Sequence, residues 1–248
     1  MRPFSVRLSL RGDLDFFLPS RTKRKEITRS LSEKTSVKDV IESCGVPHPE
    51  VDLILVNGEA VDFAYAVTAD AEVELYPPGI QSSHFREKRL QAHTIREFVA
   101  DGHLGKLVRD LRLLGIDVVY DPAAEDRQLV EIASTNNRAL LTRDRRLLMH
   151  AAVQHGYYLR SQNPLEQTIE VLRRFNLGSI LSAFTRCLRC NALLEPAEKE
   201  KIIGQLEALT KIYYDEFRRC TGCGQVYWSG SHFMKLQKRL EQIRAHCS

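Results

Sequence analysis

Apolar and polar side chains alternate along the first strand-like stretch, FSVRLSL (residues 4–10), at the period of a half-buried strand. In KTSVKDVIESCGV the apolar positions Val37, Val40, Ile41 and Cys44 fall at helical spacing, and Gly45 is the stop signal. LILVNGEAV predicts a strand, an Asn-Gly turn and a return strand. DAEVELYPP predicts a last alternating strand, halted by Pro77 and Pro78. Residues 21–34, RTKRKEITRSLSEK, read as a charged insertion or long hairpin, with a solvated loop as the simpler expectation. From residue 95 the pattern changes. REFVADGHLGKLVRDLRLLGIDVVYD predicts a strand at 96–100, a helix at 103–114 and a strand at 116–120. Leu104, Leu107, Val108, Leu111 and Leu114 line one face of that helix and Gly115 ends it. DPAAEDRQLVEIASTNN predicts a helix capped by Asp121, with Pro122 at its first position. RALLT, DRRLLMHAAVQHG and YYLRS then predict strand, helix and strand, an alternation that builds a parallel α/β sheet.

The first 75 or so residues therefore form a small α+β roll. This part resembles the ubiquitin-like β-grasp domains, including the sulfur-carrier type. Sulfur carriers act through a free C-terminal Gly-Gly, whereas here the matching place reads YPPGIQSS and the chain runs on. Docking or scaffolding is the expected role instead. A polar, basic linker, QSSHFREKRLQAHT (81–94), follows. The expected division is a β-grasp domain at 1–80, the linker at 81–94, an α/β domain at 95–180 and a cysteine-bearing part with a C-terminal helix at 181–248.

Composition narrows the class. Of 248 residues 43% are hydrophobic and 27% charged, a globular balance. No run of about 18 apolar residues predicts a membrane span, and MRPFSVRLSLRG lacks the continuous apolar core of a signal peptide. A cytoplasmic, reducing setting is the expectation, and there six cysteines suggest metal before disulfide. The net charge of +4 is uneven: residues 1–85 carry 10 Lys/Arg against 13 Asp/Glu, and residues 86–248 carry 26 against 19. The basic part is the one to meet a polyanion.

Open α/β sheets bind ligands beyond the carboxyl ends of their strands. Asp101 ends the first strand of the α/β part, Asp144 follows the third, and Asp126 lies in the first turns of the helix after the second. Each has an ordinary structural role open to it, such as a cap or a first-turn acid. Together at one sheet edge they would repel unless a cation bridged them, and oxygen-only ligation suits Mg²⁺ or Mn²⁺. Asp144 also stands among Arg143, Arg145 and Arg146. Forked guanidinium donors match phosphate oxygens, and Arg143 and Arg145 are the expected substrate contacts. This chemistry is metal-assisted phosphodiester hydrolysis.

FVADGHLGKLVRDLRLLGIDVVYD, EDRQLVEIA and ALLTRDRRLL resemble the PIN-like RNase domain called the Mut-seven C-terminal domain. In bacteria that domain commonly follows a ubiquitin-like domain and carries a C-terminal zinc ribbon, the order of parts found here. The resemblance implies a metal-dependent ribonuclease acting on RNA, such as tRNA, with Asp101, Asp126 and Asp144 as its acids. It also implies a possible protein partner for the ubiquitin-like part. PIN nucleases often place a further acid after the next strand, where this chain reads RSQNP; Asn163 could ligate or hold a water there. The missing acid motivates an alternative, a catalytically weak RNA-binding adaptor docked through its first domain.

CLRC (187–190) and CTGC (220–223) are paired Cys-x-x-Cys knuckles, the ligand set of a structural Zn²⁺ site. Their separation exceeds the usual ribbon spacing, and the excess, EPAEKEKIIGQLEAL, reads as helical. A redox Cys-x-x-Cys pair is the weaker reading. Cys44 is expected in the core and Cys247 in the tail. Tyr227 and Trp228 follow the second knuckle, either packing the ribbon or stacking bases. YWSGSH matches the family pattern and makes His232 a site candidate without a zinc role.

Overall fold

The computed structural model describes residues 2–18, 26–79, 88–92 and 94–246. Strand β1 (Phe4–Leu10) turns Phe4, Val6, Leu8 and Leu10 inward, as the alternation predicts. β2 (Glu26–Leu31) pairs antiparallel with β1, so the described part of the charged insertion is the returning arm of a hairpin. β3 (Thr35–Ser36) leads into α1 (Val37–Ser43), where Ser36 accepts from Asp39 N and caps the helix. β4 (Leu53–Val56) and β5 (Glu59–Val61) form the Asn-Gly hairpin; β6 (Ala66–Val67) pairs with β3. β7 (Ala71–Tyr76) lies parallel to β1 and completes a sheet ordered β2-β1-β7-β4-β5. Leu8, Ile41, Val73 and Leu75 sit in its buried core with Leu14 and Phe17.

β8 (Glu97–Ala100), α2 (Gly105–Leu113) and β9 (Asp117–Tyr120) follow, with β8 and β9 parallel and Phe98 opposite Val118. Leu107, Val108 and Leu111 are buried on α2, and Gly115 ends it at φ 85°. α3 (Asp126–Thr135) starts later than the sequence suggests. Glu125, not Asp121, is its cap, in a reciprocal capping box with Gln128. Asp121 instead closes a turn by accepting from Ala123 N. β10 (Ala139–Thr142) and β11 (Gly156–Tyr158) pair parallel around α4 (Arg145–Leu148), which is a single turn rather than the longer helix expected. α5 (Pro164–Arg174) then begins at the cap Asn163.

The cysteine-bearing part is a three-stranded antiparallel ribbon of β12 (Leu194–Ala197), β13 (Phe217–Cys220) and β14 (Val226–Trp228). Between β12 and β13 stand the short helices α6 (Lys199–Ile202) and α7 (Ala208–Tyr213), so the extra knuckle spacing is helical. α8 (Ser231–Ala245) closes the described chain; Cys247 lies outside the described residues. Among the described residues no helix is long and apolar enough to cross a membrane.

The chain divides into two compact units, residues 1–95 with 125–158, and residues 96–124 with 159–248. In the first, Tyr158 N donates to Glu50 Oε1 at 2.6 Å, and His48 Nε2 meets Val153 O at 2.7 Å. Most of the expected linker lies outside the described residues. Its end is fixed to the β-grasp core: Arg89 Nη1 and Gln91 N each donate to the fully buried Asp52 at 2.9 Å.

Candidate catalytic edge and metal centre

Asp101 and Asp144 stand just beyond the carboxyl ends of parallel strands, and Asp126 opens the helix that follows β9. Asp101 directly follows β8 and precedes a 3-10 turn at Gly102–Leu104. Its side chain is 13% exposed, lies 3.7 Å from His103 Nε2 and makes no capping bond. Tyr120 Oη donates to Gly102 O at 2.8 Å, so β9 fixes the turn that carries Asp101. Asp126 is the exposed first residue of α3. Asp144 caps α4: Oδ1 accepts from Arg146 N at 2.7 Å and Leu147 N at 3.2 Å. The second oxygen, Oδ2, takes no part in that cap. Thr142 Oγ1 accepts from Asp144 N at 2.9 Å and orients the residue from the strand. Asp126 and Asp144 belong to the first compact unit and Asp101 to the second.

The two arginines differ. Arg143 carries a buried Nε with no hydrogen-bond partner among the described residues. Arg145 is packed against aromatic rings, with its guanidinium carbon 5.1 Å from the Phe17 ring centre, 5.7 Å from Tyr158 and 5.9 Å from Phe16. Its Nη1 donates to Phe17 O at 3.1 Å. Asn163 accepts from Leu165 N at 2.9 Å, so its side-chain oxygen serves as the α5 cap.

Cys187, Cys190, Cys220 and Cys223 bring their sulfurs within 4.8 Å of one another. Cys190 and Cys220 are 3.3 Å apart and Cys187 and Cys223 3.7 Å. A tetrahedral site with Zn–S near 2.3 Å spaces its sulfurs by about 3.8 Å, so this cluster can hold a metal ion such as zinc. Tyr227 Oη lies 3.1 Å from Cys187 Sγ and accepts from Leu188 N at 3.2 Å. Burial and the Cys187 sulfur hold that hydroxyl in its protonated form, well above its ordinary range. Tyr227 thus supports the knuckle, whereas Trp228 remains 36% exposed.

Buried Arg112 ties the first knuckle to β9: its guanidinium donates to Val118 O at 2.9 Å and to Arg189 O at 3.0 Å. Burial pushes its pKa down, opposed by the nearby Cys187 and Cys190. Sequence reasoning passed over Arg112 because an arginine at a helix end reads as a surface residue. A cavity of about 960 Å³ beside the ribbon was also missed; it is lined by residues such as Arg109, Arg189, Arg218, Trp228, His232 and Phe233. Its arginines come from separate elements, and their convergence has no local sequence pattern.

No curated protein matches the chain. Among solved structures, the crystal structure of SAMP1 from Haloferax volcanii is 19% identical, over 32% of this chain and 99% of that one, with a TM-score of 0.25. A family model described as Mut7-C ubiquitin matches residues 4–82, and one described as Mut7-C RNAse domain matches residues 96–240. With more than half of its length in the second match, the chain belongs to the Mut7-C RNase domain family, preceded by that family's ubiquitin-like domain.

Proposed function

We propose that the chain is a divalent-metal-dependent ribonuclease that hydrolyses phosphodiester bonds in RNA, with structured RNA such as tRNA as the substrate to test first. The observation that carries this reading is the Mut7-C RNase match over 96–240, within which each of Asp101, Asp126 and Asp144 follows a parallel strand. These three offer hard oxygen donors only, a set suited to Mg²⁺ or Mn²⁺, and Asp144 keeps Oδ2 outside its cap. Such an ion, when bound, supplies activated water and neutralises phosphate charge. Thr142 and the α4 cap fix the Asp144 carboxylate. Arg143, next to Asp144 in the chain, is the first arginine assigned to a phosphate oxygen, through the outer nitrogens of its guanidinium. Arg145, held by the Phe16, Phe17 and Tyr158 rings and by Phe17 O, is the second arginine assigned to phosphate.

The four cysteines hold Zn²⁺ in a structural role, the ubiquitin-like domain serves as a protein-docking module, and reduced knuckle thiols suit the cytoplasm. The division into 1–80, 81–94, 95–180 and 181–248 is kept as the functional partition.

One observation favours a second reading, an RNA-binding adaptor with a weak catalytic edge. Where PIN nucleases often place a further acid, Asn163 spends its side-chain oxygen on a helix cap. The test is incubation of the purified chain with total RNA and Mn²⁺, with and without EDTA, beside Asp101→Asn and Asp144→Asn. Metal-dependent cleavage lost in both variants supports the nuclease. Undiminished cleavage by both refutes it, and metal-independent binding without cleavage establishes the adaptor.

A further inference from the structure

We propose that the cavity between the cysteine ribbon and the start of α8 is a subsite for single-stranded RNA, with Trp228 and Phe233 stacking on bases and Arg109, Arg189 and Arg218 holding phosphates. The proposal rests on the ribonuclease reading and adds where, and in what form, the substrate is gripped.

Charge comes first. Arg109, Arg189 and Arg218 line the cavity and are exposed. A fourth arginine, Arg186, is already paired with Asp117 at 3.1 Å. Two acids reach the same lining, Asp215 and Glu216, and Asp215 is held by Lys199 Nζ at 2.7 Å. The balance favours a polyanion.

The aromatic platform comes second. Trp228 is an exposed large aromatic, and a Cβ added at Gly230 would fall 2.7 Å from its Nε1. The bare glycine backbone therefore accommodates the indole and fixes where it lies. Phe233 packs on Phe184 with ring centres 4.7 Å apart. Phe184 itself sits at φ 61°, a conformation that bulky residues rarely take, and Arg218 Nη1 donates to its carbonyl at 2.8 Å. Strain held beside a cavity marks a place where position matters. Rings on offer among guanidiniums select unpaired bases, because a duplex keeps its base faces stacked. With a volume of about 960 Å³ the cavity lies at the upper end of the range for ligand pockets.

The chain contains one tryptophan, so its intrinsic fluorescence reports on this site alone. Labelled oligoadenylate, titrated into the full chain without divalent metal, is expected to quench tryptophan emission in parallel with its anisotropy rise. Trp228→Ala should weaken binding about tenfold, and Trp228→Phe should restore most of it. Arg109→Gln with Arg189→Gln should lower the slope of log K against log salt by about 1.4, the value for two single-strand phosphate contacts. Retained zinc content shows that each variant keeps its ribbon. If oligoadenylate binds while emission stays constant and Trp228→Ala binds as the parent does, this subsite is wrong and the ribonuclease reading stands. If no RNA binds at all, both fall. Equal quenching by a blunt duplex, or by polyglutamate, overturns the single-strand assignment in favour of shape recognition or an acidic protein partner.

Discussion

Arg239 on α8 grips Asp110 on α2, with Nε 3.1 Å from both carboxylate oxygens and Nη2 2.5 Å from Oδ2. Thr168 Oγ1 on α5 lies 3.3 Å from the same Oδ2, its hydroxyl shared with Pro164 O at 2.8 Å. One carboxylate, 9% exposed, thus joins three helices. Removing its cation leaves a charge in poor solvent. Arg239→Met is expected to destabilise the chain by about 2–3 kcal/mol, and Asp110→Leu added to it should recover part of the loss. Thermal unfolding of the two variants checks both.

Asp144 has two candidate roles that separate by substitution. Asparagine caps helices about as well as aspartate, so Asp144→Asn should leave the unfolding midpoint almost unchanged. Asp144→Ala should cost about 1 kcal/mol, because Arg146 N and Leu147 N lose their acceptor. A metal role predicts that both variants lose Mn²⁺-dependent cleavage by about 100-fold or more. Equal loss of activity despite unequal stability is the signature.

The ribbon should contain one zinc per chain, measured by elemental analysis, and Cys190→Ser or Cys220→Ser should lose it. Tyr227→Phe removes the hydroxyl beside Cys187 but no ligand. It should keep zinc with about tenfold lower affinity in chelator competition, the usual size of an outer-shell effect.

Arg145→Ala removes the guanidinium from three rings and from Phe17 O. A loss of about 1–2 kcal/mol is expected. Hydrogen exchange should accelerate at residues 14–18 and 156–158, while amides near the Cys187 knuckle keep their parent rates.

Much of this architecture is written locally. Period-two alternation gives β1 and β7, the Asn57-Gly58 turn gives the β4–β5 hairpin, and the apolar stripe of α2 ends at Gly115. The misses have both local and long-range origins. Asp121 and Pro122 mimic a helix start, but Glu125 and Gln128 form the reciprocal pair that fixes it. The apolar residues of 145–153 pack after a single helical turn, since tertiary burial of Leu147, Leu148 and Val153 outweighs helical periodicity. The four cysteines were legible because metal ligands repeat in a fixed spacing. The packing around Arg145 was not legible, although its phosphate role was read from its neighbours in the chain. The rings that occupy it, Phe16 and Phe17, lie about 128 positions away in the chain, and no window of sequence joins them.

The hydrogen bond from Tyr158 N to the Glu50 carboxylate, with that between the His48 ring and Val153 O, has a consequence for how such a gene can be rearranged. Cutting the chain at residue 95 would strip water-shunning surface from Tyr158 and leave Glu50 and His48 facing solvent on the other fragment. Neither piece would be born with a finished exterior, because residues 125–158 serve as part of the interior of the first compact unit.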